Sequence, residues 1–170
     1  MHTAPTLHTD RLTLRAFTEA DLDAYAAMCA DAEVMRYIGS GGAVARDTAW
    51  RQMAMFAGHW VLRGYGMWAL ADRSTGVLVG RVGFLNPEGW PANELGWLLA
   101  RSAWGRGYAY ESALAARTHG RGALGLSGRL ISLIRADNLP SIALAGRLGA
   151  WHEETIELMG GSAQVWRHPD

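Results

Sequence analysis

Lysine is absent from this 170-residue chain: all sixteen basic residues are arginine, balanced by sixteen acidic residues. Chemistries that need a lysine amine are therefore excluded. These include Schiff-base aldolases, pyridoxal enzymes, P-loop NTPases with their Gly-Lys-Ser/Thr, and protein kinases with their strand lysine. Many alanines and glycines accompany the arginines, so drift in genome composition is a sufficient account of the absence itself. With a net charge of zero there is no basic excess to hold a polyanion, and no nucleic-acid partner is expected. The single cysteine, Cys29, excludes a disulfide framework or a multi-cysteine zinc site and fits a reducing cytoplasm. No apolar run reaches the length of a membrane span, and residues 1–10 lack the apolar core of a signal peptide, so no membrane partner is expected. His2, His8, His59, His119, His152 and His168 show no His-x-x-x-His pairing; no metal is expected, and each is assigned a tail or surface position.

Against these absences stand an apolar fraction of 49%, a charged fraction of 19% and eight tryptophans. That balance describes one globular domain over residues 1–170, large enough to bury a core. Arg11 to Arg15 alternates as a half-buried strand. Thr18-Glu-Ala-Asp21 is a capping box opening a helix through Cys29, and Asp31 to Tyr37 reads as a second helical stretch. A longer amphipathic helix, Arg46 to Arg63, carries Trp50, Met53, Phe56 and Trp60 at core spacing and stops at Gly64. Strands follow at Gly66 to Ala71, Val77 to Leu85 and Glu94 to Leu99. After them come a helix Gly107 to Arg121, a strand Arg129 to Ile134, a helix Pro140 to Leu148, and a hairpin of Trp151 to Leu158 with Ser162 to Arg167. The order β-α-α-β-β-β-α-β-α-β-β predicts an α/β or α+β sheet covered by helices on both faces.

Trp104-Gly-Arg-Gly-Tyr-Ala-Tyr-Glu111 lies between a strand and a helix start. Its glycines allow close backbone approach, and the first-turn N–H groups with the helix dipole form an anion site suited to a phosphate. Arg101 and Arg106 flank it as charge-assisted donors. A plain strand–helix turn needing small residues is the alternative. The literal G-x-G-x-x-G at Gly120 to Gly125 follows a helix and precedes a strand, the reverse of a dinucleotide fingerprint, and reads as a helix stop. Asn138-Leu-Pro-Ser141 sits at a strand exit and helix start, where side chains face a ligand and where Asn138 also serves as a cap. Cys29, in an apolar context, reads as a buried inert thiol. Glu111 complements the helix dipole. Trp68 and Trp97 read as packing, whereas Trp90 and Trp151, beside turns, are candidates for a pocket or interface.

Arg11-Leu-Thr-Leu-Arg15, Glu94-Leu-Gly-Trp-Leu-Leu99, Trp104-Gly-Arg-Gly-Tyr-Ala109 with Glu111, and Asn138-x-x-Ser141 ending in Arg147-Leu-Gly149 occur in that order. This ordered set, over roughly residues 7 to 150, resembles the GNAT superfamily of acetyl-CoA-dependent N-acetyltransferases. The match is to its RimJ/RimL-like branch, which acetylates ribosomal-protein N-termini and includes relatives acting on small amines. The resemblance implies a single-domain fold whose mixed, mostly antiparallel sheet is splayed between its fourth and fifth strands, with acetyl-CoA in the splay. By carry-over, the backbone of Trp97, Leu98 and Leu99 pairs with the pantetheine arm. Backbone N–H groups of Gly105, Arg106, Gly107, Tyr108 and Ala109 hold the pyrophosphate, and Asn138 and Ser141 lie near the thioester. The acceptor is expected on the side lined by Met35, Tyr37, the Gly39 to Gly42 loop with Ser40, and the Gly160-Gly161 turn.

Three positions depart from the family pattern. Trp104 stands where Gln or Arg is common, Ala145 where a tyrosine acid is often found, and Ala150 where an aromatic usually follows the glycine. Ser141 is then the better candidate for assisting the departing thiolate. An α-amine with a pKa of about 8 needs no stronger base than a carboxylate. The resemblance makes Glu94, which opens the strand expected to face the thioester, the expected general base. A solvated residue at a strand edge is the alternative. A backbone N–H near Leu98 or Leu99 is the expected oxyanion donor. The implied partner is an amine acceptor, either a protein N-terminus or a small molecule, and a homodimer stays open. The alternative from another class is a CoA-binding module that no longer transfers acetyl.

Overall fold

In the computed structural model, residues 3–126, 128–158 and 160–170 are described; His2 lies outside them. The strands are β1 (Leu7–His8), β2 (Leu12–Arg15), β3 (Met67–Asp72), β4 (Leu78–Leu85), β5 (Asn93–Leu99), β6 (Leu130–Ile134), β7 (Trp151–Leu158) and β8 (Gly161–Arg167). The helices are α1 (Leu22–Cys29), α2 (Ala32–Met35), α3 (Arg46–Arg63), α4 (Tyr108–Gly122) and α5 (Leu139–Arg147). One sheet runs β1-β2-β3-β4-β5-β6-β8-β7, antiparallel throughout except for β5 and β6. The α/β sheet with helices on both faces is as expected, with a two-residue strand added at the start that is too short to leave a periodic signal.

Two apolar layers follow from the alternation within the strands. Trp68, Leu70, Val82, Phe84 and Leu95 pack beneath α4 with Ala113 and Ala116. Met67, Ala69 and Leu98 face the opposite way, against Tyr25 of α1 and Met53 and Phe56 of α3. The approach of α4 is close because Gly120 has no side chain: a Cβ there would fall within 2.7 Å of the Phe84 ring. This is the packing reason for the first glycine of the run that mimics a nucleotide fingerprint; the last, Gly125, has a φ of 63°. At the start of α1, Asp21 accepts from the Thr18 N–H (2.8 Å) and from both terminal nitrogens of Arg15 (2.7 and 2.8 Å), so the helix is tied to β2.

The second helix is shorter than expected, because Asp31 caps it through Glu33 and Val34 and the chain leaves helical geometry after Arg36. Two further expectations are corrected. Trp50 is half-exposed on α3, its indole N–H reaching Glu19 at 3.3 Å. His59 and His168 are buried rather than at the surface. His59 accepts the Asn86 N–H on Nε2 (3.1 Å), so its Nδ1–H donates to the Tyr65 carbonyl (2.6 Å) and fixes the turn after α3.

The feature that makes a site is the parting of β5 from β6. They pair in parallel only at Asn93 with Leu130 and at Glu94 with Ile131. The next β5 carbonyl, Leu95, is taken instead by the Ser132 hydroxyl at 2.6 Å. His168 Nε2–H donates to that hydroxyl at 2.9 Å. Burial, with Arg117 and Arg121 nearby, holds the His168 pKa down to about 4, so the ring stays neutral in this role. A side chain wedged where a backbone N–H would sit ends the parallel ladder and opens the sheet.

Candidate active site

Antiparallel geometry sends both backbone groups of alternate residues to the same neighbour. The Leu95 carbonyl accepts from Ser132, and the Leu99 carbonyl accepts from Trp104 Nε1 at 2.9 Å, so both face away from β4. By the same parity Trp97 aims its N–H and C=O into the opening. Leu98 faces β4, where its carbonyl crowds Gly80. Of the three residues expected along the opening, the structure presents Trp97 in full, the N–H of Leu99, and the side chain but not the peptide groups of Leu98.

Two cavities, about 440 and 600 Å³, meet at the opening and share Tyr37, Trp97, Asn138 and Ser141 as walls. The larger runs toward the start of α4. Gly105 and Gly107 adopt φ of 72° and 77°, the left-handed region that glycine enters without strain. Among the described residues, the N–H groups of Gly105 to Tyr110 have no acceptor. Six such donors at the N-terminus of a fifteen-residue helix make an anion cradle. Nothing lies within 4 Å of where a Gly105 Cβ would be, so that face of the loop is open.

The charge around the cradle differs from expectation. Arg106 turns back onto Tyr108 (4.5 Å to the ring centroid) and toward Asp72 (3.9 Å). Arg101 stacks on Trp104 (4.7 Å) and faces Glu33. The arginines that line this cavity are Arg36 and Arg147. The loop is anchored from below. Hydrogen bonds from the Ser74 hydroxyl and then Tyr108 hold Asp72 down to about 2. Burial opposes ionisation of Glu111, but the Thr9 hydroxyl (2.6 Å), the Arg11 N–H (2.9 Å) and the Arg11 guanidinium (2.6 Å) keep it below the usual range. Arg11 also donates to the Arg106 carbonyl at 2.8 Å. A carboxylate with a depressed pKa stabilises the fold above its unfolded pKa, and that contribution is lost as pH falls through the folded value. Glu111→Gln is thus expected to cost about 1–2 kcal/mol at pH 7. The penalty relative to wild type should shrink as pH falls below the ordinary glutamate value, as thermal unfolding at neutral and acidic pH will report.

The smaller cavity holds Glu94 and Trp90, whose indole N–H donates to the Glu94 carboxylate at 2.8 Å. Burial raises the Glu94 pKa to about 7, against the opposing pull of Trp90, Arg81 and the Leu133 N–H. Such a carboxylate is half ionised near neutrality and suited to accepting a proton. Ser141 stands at the junction: its hydroxyl oxygen accepts from Trp97 Nε1 (3.2 Å), leaving its own O–H free to donate. Asn138 caps α5 by accepting the Ser141 N–H at 3.3 Å. On the acceptor side Tyr37 and Gly39 line the cavity, and Arg135 ties that loop to the end of β6 through the Gly39 carbonyl (2.7 Å). Two expected wall residues are not in the wall: Met35 is buried in the core beside α1, because α2 turns it inward, and Ser40 is exposed on the outer side of its loop.

Arg81 lines this cavity and escaped the sequence reading. Its signal was present: it is the lone charge in the apolar run Val77 to Leu85. Cys29 is fully buried, and burial pushes its thiol pKa up, so no exposed thiol is offered to either cavity.

This arrangement fits what comparison with known proteins shows. Residues 11–150 match the family model for the acetyltransferase (GNAT) domain. The uncharacterized N-acetyltransferase YoaA of Bacillus subtilis (strain 168) is 31% identical over 153 residues, covering 89% of this chain and 86% of the relative. The crystal structure of an acetyltransferase from Agrobacterium tumefaciens str. C58 superposes with a TM-score of 0.88 at 31% identity, covering 100% of this chain and 97% of that one. RimL, a ribosomal α-N-protein acetyltransferase in complex with coenzyme A, shares the fold at a TM-score of 0.77 and 20% identity, covering 96% of this chain and 97% of that one. With the family model spanning most of its length and its fold shared from end to end, the chain belongs to the GNAT family of N-acetyltransferases.

Proposed function

We propose that the protein moves the acetyl group of acetyl-CoA to a primary amine by direct attack within a ternary complex. The acceptor is a protein N-terminal α-amine, as in the RimJ/RimL-like branch, or a small-molecule amine. The observation that carries this reading is the continuity of the cleft. A half-buried carboxylate with a pKa of about 7 lies in one cavity, a cradle of unpaired N–H groups ends the other, and the Trp97 peptide lies between them.

The residues present fit acetyl-CoA. The N–H groups of Gly105 to Ala109, with Arg36 and Arg147 nearby, suit its phosphates. The Trp97 N–H and C=O suit the amide-bearing pantetheine arm, as a β-strand edge suits an added strand. Bound there, the cosubstrate supplies an activated thioester. Glu94 takes the proton of the attacking ammonium or amine. The N–H groups that Trp97 and Leu99 aim into the opening are the donors available to polarise the acyl carbonyl. The free O–H of Ser141 serves the departing thiolate. A buried Cys29 with a raised pKa offers no acyl carrier, which favours direct attack, and a single buried thiol suits a cytoplasmic setting.

Free thiol release from acetyl-CoA, followed across a panel of peptides and small amines, tests the proposal. Acceptor-dependent release, with Ser141→Ala slowed by about tenfold, is the expected result. Tight CoA binding with no release above hydrolysis for any amine would mean a binding module instead.

A further inference from the structure

Arg81 sits on β4 with 8% of its surface exposed, yet it forms no salt bridge among the described residues. Its Nε–H is buried without any hydrogen-bond partner, its Nη1 reaches the Met67 sulfur at 3.7 Å, and its guanidinium lies 5.2 Å from the Phe56 ring centroid. The neutral Tyr25 hydroxyl is close enough to interact with it. A charge taken out of water costs several kcal/mol unless a counter-charge and hydrogen bonds replace the lost hydration. A thioether, an aromatic face and a neutral phenol replace little of it. Its neutral surroundings are Tyr25, Cys29 and Gln52, and the one carboxylate that acts on it electrostatically, Glu94, stands beyond salt-bridge distance among the described residues.

The guanidinium also has a place in the site. Arg81 stands opposite Leu98, and Leu85 opposite Glu94, so Arg81 and Glu94 project from the same face of adjacent strands. The two residues opposite each other midway between them, Gly83 and Gly96, contribute no side chain to that face. The flexible Met67 lies over this floor: its Sδ is against Arg81, and its Cε is 3.0 Å from where a Gly96 Cβ would be, itself 3.7 Å from Glu94 Oε1. All five residues apart from Gly83 and Leu98 that define this strip, namely Arg81, Met67, Leu85, Glu94 and Gly96, line the smaller cavity. A cation and a proton-accepting carboxylate are thus held on one floor, one thioether apart.

We infer that Arg81 receives a carboxylate of the acceptor, so that the enzyme's substrates are primary amines that themselves carry a carboxylate. This rests on the amine-transfer reading of the site and deepens it. The acceptor's ammonium meets Glu94 and its carboxylate meets the planar guanidinium fork, which supplies the buried Nε–H with its missing partner. Neutralising both ends at once explains why an unpaired arginine persists inside a cavity wall. The chemistry is shared by free amino acids and by peptides whose N-terminal residues bear an acidic side chain.

Matched acid and amide acceptors test it. One arm uses amino acids and ω-amino acids of increasing length against their carboxamides; the other uses peptides beginning with Asp or Glu against Asn or Gln. Calorimetric binding in the presence of CoA is read together with thiol release, so that a failure of turnover is distinguishable from a failure of recognition. Wild type is expected to favour the acid by roughly 30-fold or more, Arg81→Met to bring the acid-to-amide ratio to about one, and Arg81→Lys to restore part of it. The arm showing the preference identifies the source of the carboxylate. Equal binding of acid and amide by wild type, or binding of no acid at all, overturns the inference even if some other amine is acetylated. So does a preference that survives in folded Arg81→Met.

Discussion

Glu94→Gln should lower kcat/KM at pH 7 by about 10²- to 10⁴-fold, the usual contribution of a positioned general base. Glutamine retains an oxygen for the Trp90 N–H bond at 2.8 Å, so the wall of the cavity is preserved and the proton acceptor alone is lost. The pH profile carries the sharper information. Wild-type activity should rise as Glu94 ionises through about 7. The variant should lack that step and follow the acceptor's own ionisation, near 8 for an α-amine. Stability should move the other way. A carboxyl group ionises near 4.5 when the chain is unfolded and near 7 here, so the folded state binds the extra proton between those values. Wild type therefore loses stability as pH rises across that window, by on the order of 3 kcal/mol, and does not regain it above. The variant carries no such penalty and should melt several degrees higher above pH 7, yet like wild type below pH 4. A fully active Gln variant removes Glu94 as the base. A melting difference that ignores pH removes burial as the cause of its pKa.

The largest loss of stability is expected at Gly83. Its φ of 143° lies where side chains are strained, and a Cβ would fall onto the Gly66 carbonyl oxygen and within 2.9 Å of Met67 Cα. Both obstacles are backbone atoms of the paired β3 side and cannot swing aside. Gly83→Ala is therefore expected to cost more than about 3 kcal/mol, beyond ordinary overpacking. Gly58 gives the control. It lies within α3 with nothing inside 4 Å of its Cβ position, and Gly58→Ala should gain about 0.5–1 kcal/mol from reduced chain entropy. Calorimetric unfolding of the two variants should place them on opposite sides of wild type. A Gly83→Ala protein melting with wild type would mean that β3 and β4 are not held this tightly.

The parts of the fold that were legible beforehand are those where local chemistry and packing agree. The strand patterns, the glycine loop before α4 and the Asn138 cap announce themselves in short windows. What escaped depends on partners far along the chain. Arg106 looks like a phosphate ligand in Trp104-Gly-Arg-Gly, but Asp72 and Tyr108 draw it away. Arg36 and Arg147 reach the cavity from two other elements, without a motif between them. Met35, expected on the acceptor side, has the burial of a core residue, which only the seating of α2 decides. The Trp97 side chain reads as strand packing, and packs so, yet its indole also bonds Ser141, a contact no local pattern announces. For a residue on the border of two cavities, core and site are the same place.

The opening between β5 and β6 has a consequence for how the protein keeps its own company. A strand with unsatisfied peptide groups ordinarily sits at the rim of a sheet, where it solicits neighbouring chains and must be guarded against aggregation. Here such a strand occupies the middle of an eight-stranded sheet, fifth in the order. It is sunk between walls built by Tyr37 on one side and by Asn138 and Ser141 on the other. Another polypeptide would have to bring its side chains past those walls to reach the Trp97 peptide. A place inside the sheet, rather than at its rim, is thus what keeps these peptide groups from soliciting neighbouring chains.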